Sequence, residues 1–171
     1  MSRVSIELLL KRHDRKKFDC GNQELNEYLK TLARQHQDRG FAKTYVAVEE
    51  GRAEVLGYIS VAMGNVLLQD ADELVFERLP KHPMPVLHVA RLATDLMYAG
   101  KGIASLLLSH AADIAIAASS SMGVYALELD AIDDQAYQYY LRRGFSPLKG
   151  NTSRLYAPLS KILQAREEEA R

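Results

Sequence analysis

The sequence predicts a mixed α/β domain, and three observations carry that prediction. Apolar runs of strand length alternate with stretches of helical apolar spacing, in the order β, α, β, β, short helix, β, α, β, α, β. Residues 86–131 form a strand–helix–strand passage of the kind that makes a parallel crossover. The 171 residues, 47% hydrophobic and 26% charged, suffice for one domain with a buried core, and they contain no repeat or linker.

Residues 4–10 read as the first strand and the charged run KRHDRKK, residues 11–17, as an exposed turn. Phe18-Asp19-Cys20-Gly21-Asn22 leads into a helix that Asp19 or Asn22 can cap. Leu25, Tyr28, Leu29 and Leu32 recur at helical spacing and give it an apolar face. Lys30, Arg34 and Gln37 lie opposite, as solvated surface or as a side turned to RNA. Residues 44–49 and 55–62, with Gly51 between, read as an antiparallel hairpin. Residues 65–80 carry acids and a short helical pattern around Leu74, Val75 and Leu79. Lys81-His82-Pro83-Met84-Pro85 must be extended or loop, because proline disfavours helix in the residue before it.

That segment delivers the chain into an apolar strand where Arg91 sits among Val89, Leu92 and Ala93. A charge there either reaches an acidic partner or points into a wet cleft. Gly100 and Gly102 follow at a strand-to-helix turn. Such a turn gathers backbone N–H groups and the positive end of a helix dipole, which suits a phosphate; two glycines also occur wherever such a turn is merely tight. The helix shows Ile103, Leu106, Leu107, Ala111, Ile114 and Ala118 on one face. His110 reads as a surface or supporting histidine, since no Ser, Cys or Asp constellation accompanies it. Residues 124–131 make the next strand. Asp133 then caps a helix through Ala136, Tyr137, Tyr139 and Tyr140 that stops at Arg143-Gly144. Residues 154–159 form a last strand, and residues 160–171 a charged terminal helix prone to fray.

Zero formal net charge argues against an indiscriminate polyanion binder, yet the charge is uneven and leaves room for a one-sided positive surface. Seven acidic residues lie between Glu49 and Glu77, whereas six basic and no acidic residues lie between Gln135 and Arg166. The single cysteine, Cys20, allows no internal disulfide and no metal site by itself, so no metal is expected. The sequence shows neither the apolar run of a signal peptide nor the ~20 apolar residues needed to span a bilayer. The expected location is the cytoplasm, with no membrane partner. No double Gly-rich fingerprint, Walker lysine or kinase triplet appears, so the common nucleotide folds are poorly supported.

Three features together resemble the GNAT N-acetyltransferases. They are the order of elements, the loop Ala99-Gly100-Lys101-Gly102-Ile103-Ala104, and the segment Asp133-Asp134-Gln135-Ala136-Tyr137-Gln138-Tyr139-Tyr140-Leu141-Arg142-Arg143-Gly144-Phe145. The resemblance implies a single domain over residues 1–171, with a mostly antiparallel sheet whose central parallel pair splays apart, residues 89–94 from 127–131, flanked by helices. It implies that acetyl-CoA occupies the slot: the backbone of Leu92, Ala93 and Thr94 pairs with the pantetheine, and Ala99, Gly100, Lys101, Gly102, Ile103, Ala104 and Ser105 cradle the pyrophosphate. Asp133, Ala136 and Tyr139 form the coenzyme's far wall. The family's loop reads Gln or Arg, two residues, Gly, one residue, Gly or Ala. Gly102 and Ala104 match, but Ala99 does not, and alanine cannot close over phosphates. Weaker coenzyme binding is the implied consequence, with Lys101 available to compensate.

A closer similarity is to the acetyltransferase toxins of bacterial toxin–antitoxin pairs. It rests on Phe18 to Asn22 with Leu25-Asn26 and Tyr28-Leu29, Gly57-Tyr58 with Ser60, Pro83 to Pro85, Ala90-Arg91-Leu92-Ala93 with Asp95, and the Asp-Asp-x-Ala entry to the tyrosine helix. This branch acetylates the α-amino group of aminoacyl-tRNA, halts translation and is neutralised by a small ribbon-helix-helix antitoxin. The resemblance thus implies an aminoacyl-tRNA substrate, such an antitoxin as partner and a homodimer; Arg34, Arg39 and Arg91 are the candidate substrate contacts. Two other readings stay open: acetylation of a small-molecule or protein amine, and a non-catalytic acyl-CoA-binding module, which Ala99 permits.

The α-amino group of an aminoacyl ester has a low pKa and needs little help from a base, which suits a chain with no obvious one. The departing thiolate does need a proton. Tyr140 stands where the family carries its phenolic acid; without the resemblance, the three tyrosines also read as ordinary aromatics of an amphipathic helix.

Overall fold

A computed structural model describes residues 2–67 and 83–171. Its strands are β1 (Val4–Leu8), β2 (Lys43–Glu49), β3 (Gly57–Val66), β4 (Met84–Thr94), β5 (Ala126–Asp130), β6 (Ser146–Leu148) and β7 (Asn151–Pro158). They form one sheet in the order β1-β2-β3-β4-β5-β7-β6. Pairs β1/β2, β2/β3, β5/β7 and β6/β7 are antiparallel and β4/β5 is parallel, the mixed sheet the sequence predicts. Helices α1 (Gln23–Glu27), α2 (Ala33–Asp38), α3 (Ile103–Ser119), α4 (Asp134–Arg142) and α5 (Leu159–Glu169) complete it. The chain divides into two compact units, Met1–Ala62 with Ala90–Ala111 and Met63–Val89 with Ala112–Arg171.

In the first unit Asn22 is the cap of α1, its side chain accepting from the Leu25 N–H at 3.1 Å. A π turn, Tyr28–Leu32, joins α1 to α2, and the Ala33 N–H bonds back to the Tyr28 carbonyl. The extra residue shifts the buried face. Leu29 and Ala33 are therefore buried, while Leu32, expected on the apolar face, is 42% exposed. Gln37, expected opposite, instead ties two strands: its amide donates to the Leu9 carbonyl at 2.9 Å and accepts from the Thr44 N–H at 3.0 Å. The charged turn after β1 hangs on buried His13, whose Nδ1 accepts from Leu10 and whose Nε2 meets Glu7. Gly57 lets α3 approach β3 closely. A Cβ there would lie 2.8 Å from Ile103 Cγ2 and 3.0 Å from the Ala93 carbonyl. Ile103 and Leu107 are buried on that helix, whereas Leu106, expected beside them, is exposed.

In the second unit the β4/β5 register runs from Val86↔Ala126 to Val89↔Leu129, and β4 itself continues to Thr94. Leu127 to Leu129 are thus paired, so the expected separation cannot begin at residue 127. A core of Val66, Met84, Val86, Ala126, Leu148 and Tyr156 packs on one side of these strands. The β6/β7 hairpin, with a register shift at Pro147/Leu148, is absent from the sequence reading, which has one terminal strand. The terminal helix forms over Leu159–Glu169, with Arg166 reaching Asp113 at 2.6 Å. The helical pattern expected around Leu74, Val75 and Leu79 lies outside the described residues. Met84 and Pro85 are extended at the head of β4, as their prolines require.

Candidate active site

The first unit supplies the glycine loop at the head of α3. β4 ends at Thr94, and the next residue, Asp95, is buried and holds three segments together. Its carboxylate accepts from the Asp19 N–H at 3.1 Å and the Met97 N–H at 2.9 Å, while its own N–H donates to the Leu56 carbonyl. A single 3-10 turn, Leu96–Tyr98, then delivers the chain to Ala99. Gly100 and Gly102 adopt φ of +75° and +82°, the left-handed region where a side chain is strained. A Cβ at either would meet nothing within 4 Å, so the glycines answer to backbone shape and leave open space above the loop. The first amides of α3 precede its opening bond, Leu106 N–H to the Gly102 carbonyl at 3.1 Å, and sit at the positive end of a 17-residue helix. Ala99 is exposed, and the Lys101 ammonium lies 5.3 Å from the centre of the Tyr98 ring.

The same unit holds Arg34, Arg39 and Arg91. Among the described residues Arg91 meets no acid; its guanidinium stacks 3.5 Å above the ring of buried Tyr28. Arg34 lines a cavity of about 530 Å³ with Lys11, Arg12, His13, Asp14, Arg15, Lys16 and Lys30. Burial, and then the Arg34 charge, push Arg15 below the ordinary arginine range. Arg39, at the end of α2, is not among the lining residues.

In the second unit Asp133 caps α4, accepting from the Ala136 N–H at 2.7 Å. With Ala131, Ile132, Asp134, Tyr137 and Ser153 it lines a cavity of about 550 Å³. Tyr140 is buried on α4 between Tyr139, edge-on at 5.5 Å, and Phe145 at 5.6 Å. Burial first, then Tyr139 and Asp133, push its hydroxyl above the ordinary phenol range, so it stays protonated and can donate. The Tyr139 hydroxyl is buried without a hydrogen-bond partner among the described residues, and Arg143 lies over its ring at 4.7 Å.

The acetyltransferase (GNAT) family model matches residues 7–145, most of the chain. The chain belongs to this family. GNAT enzymes use acetyl-CoA, and the open glycine loop at the head of α3 fits its pyrophosphate. The chain is similar to a tRNA-acetylating toxin of Mycobacterium tuberculosis, 32% identical over 128 residues, 75% of each chain. Among solved structures it resembles the AtaT toxin complexed with acetyl-methionyl-tRNAfMet, with TM-score 0.87 and 28% identity over 95% of this chain and 99% of that one. It also resembles a tyrosine-to-phenylalanine mutant of AtaT bound to acetyl-CoA and the C-terminus of the antitoxin AtaR, with TM-score 0.78 and 29% identity over 96% and 98% of the two chains.

Within this GNAT chain the quoted motifs acquire physical jobs. Asp19 accepts from the Gly21 N–H and the Asn26 side chain, Asn26 accepts from the Cys20 N–H, and Asp95 closes the knot that sets the loop. Asp95 and Asn26 are positioning residues. The sequence showed them only as parts of a motif, because their partners lie up to 76 residues away.

Proposed function

We propose that this chain is an acetyl-CoA-dependent N-acetyltransferase that modifies the α-amino group of aminoacyl-tRNA and thereby blocks translation. The observation that carries this reading is the 32% identity with a tRNA-acetylating toxin across three quarters of both chains. The whole chain, residues 1–171, acts as one acetyltransferase domain. Its loop from Ala99 to Ser105 holds the pyrophosphate through backbone N–H groups, the strand at Leu92, Ala93 and Thr94 pairs with the pantetheine, and Asp133, Ala136 and Tyr139 line the coenzyme's far wall.

Tyr140 is the general acid. Its raised pKa keeps the proton on oxygen until sulfur develops negative charge, so it acts first as a hydrogen-bond donor. The proton it gives to sulfur is replaced by one leaving the newly acylated nitrogen, which makes the transfer favourable despite the weak phenol. Arg34, Arg39 and Arg91 meet the RNA, Arg34 as part of the cationic cavity. The partner is a small antitoxin of ribbon-helix-helix type, the enzyme is a homodimer, and both work in the cytoplasm. Supporting the antitoxin is the likeness to AtaT, which was solved with the C-terminus of its antitoxin AtaR.

The test incubates the protein with labelled acetyl-CoA and total charged tRNA. Label entering the aminoacyl ester is the expected outcome. Label entering only free small-molecule or protein amines would replace the tRNA reading.

A further inference from the structure

The second unit contains a charged relay that the acetyl-transfer reading does not use. Glu128 on β5 is only 3% exposed, yet it carries a carboxylate in the middle of the sheet. One oxygen meets His88 Nδ1 on β4 at 2.6 Å and the other accepts from Arg154 Nε on β7 at 3.1 Å. The three residues come together because His88 and Glu128 are register partners across the parallel pair, and Arg154 lies on the next strand. Neighbouring Leu87 and Val89 are buried, whereas the His88 side chain keeps 36% of its surface exposed. On β3, Gly64 faces it, and a Cβ there would come within 3.2 Å of His88 Cβ. A carboxylate on Nδ1 fixes the imidazole's orientation and tautomer and turns Nε2 outward as an acceptor. Buried charge is expensive, and a simple structural role is met as well by an apolar pair.

We propose that His88 is the proton acceptor for the amine substrate, with Glu128 and Arg154 as its positioning residues. The inference rests on the acetyltransferase reading above. The pair sits one rung before the last of the β4/β5 ladder, Val89↔Leu129, on a strand that runs on to the proposed pantetheine contacts. His88 Nε2 takes a proton from the α-ammonium group. The freed nitrogen forms its bond to the acetyl carbonyl carbon as the carbon–sulfur bond breaks, Tyr140 protonates sulfur and recovers a proton from the new amide nitrogen, and His88 releases its proton to water. One proton per turnover is released. Among the described residues, the charged groups that meet His88 are Glu128 from β5 and, through it, Arg154 from β7; Gly64 brings none from β3.

The experiment measures kcat/KM for charged tRNA against pH in the full chain, its His88→Gln and His88→Ala variants, and Glu128→Gln. Acetyl-CoA affinity and thermal melting serve as controls. His88→Gln is expected to lose about 10²-fold at pH 6. The loss shrinks towards alkaline pH, where the amine deprotonates unaided, and added imidazole restores part of the His88→Ala activity. Glu128→Gln moves the profile in the same direction by less. A loss equal at every pH, or no imidazole rescue in a folded His88→Ala protein, would overturn the assignment. If the wild-type chain leaves charged tRNA unmodified, the tRNA reading fails instead, and the same series on whichever amine it does acetylate decides the role of His88.

Discussion

Tyr140 is buried, wedged between two aromatic rings, and held protonated by its surroundings. Removing its hydroxyl leaves that packing almost intact, so Tyr140→Phe should lower kcat by about 10²–10⁴-fold while acetyl-CoA still binds and the melting temperature hardly moves. Single-turnover rates with a coenzyme titration check this, and unchanged turnover would remove Tyr140 from the mechanism. Glu128 gives a second residue-scale expectation. Burial raises its pKa, but the hydrogen bonds from His88 and Arg154 and the charge of Arg154 outweigh that and hold it below the ordinary range. Because the folded value is the lower one, this stabilisation is fully present above the unfolded pKa of about 4.3 and is lost as pH falls through the depressed folded value. Glu128→Gln should therefore cost about 1.5–3 kcal/mol at neutral pH, with the gap closing on acidification. Denaturant melts from pH 7 downwards read it; a gap that persists into strong acid would contradict it. The helix that carries Tyr140 was legible because its residues, cap and Gly stop are contiguous in sequence, whereas the acid role assigned to Tyr140 comes from the family resemblance. The relay was not legible, since residues 88, 128 and 154 meet only through strand register.

At the scale of elements, periodicity located the helices and hairpin and missed where geometry departs from the regular repeat. The π turn at Tyr28–Leu32 inserts a residue that spacing rules do not contain, which is why Leu32 points outward and Ala33 inward. The three-residue strand β6 contains Pro147 and falls below the length at which alternation can be read. The seat of α3 on β3 depends on one missing side chain. Gly57→Ala would place a Cβ 3.0 Å from the Ala93 backbone carbonyl, which cannot swing aside, and 2.8 Å from Ile103. The expected cost is about 1–3 kcal/mol, measured by denaturant unfolding. A neutral substitution would show that the helix shifts freely.

At the scale of the molecule, zero net charge conceals a cationic cavity on one unit. Lys11, Arg12, Arg15 and Lys16 are separated in the sequence from Lys30 and Arg34 by the first helix, so their convergence was only half visible. If that cavity meets phosphates, changing Arg15, Lys30 or Arg34 to Ala should each weaken binding of charged tRNA and reduce the slope of log K against log salt by about one. An unchanged slope would move the RNA elsewhere. What the protein does is decided by where the acetyl group goes. Incubating the protein with labelled acetyl-CoA and charged tRNA, then releasing the amino acid from the ester, should recover the label on its α-nitrogen; label found only on free amines, or none transferred, would contradict it.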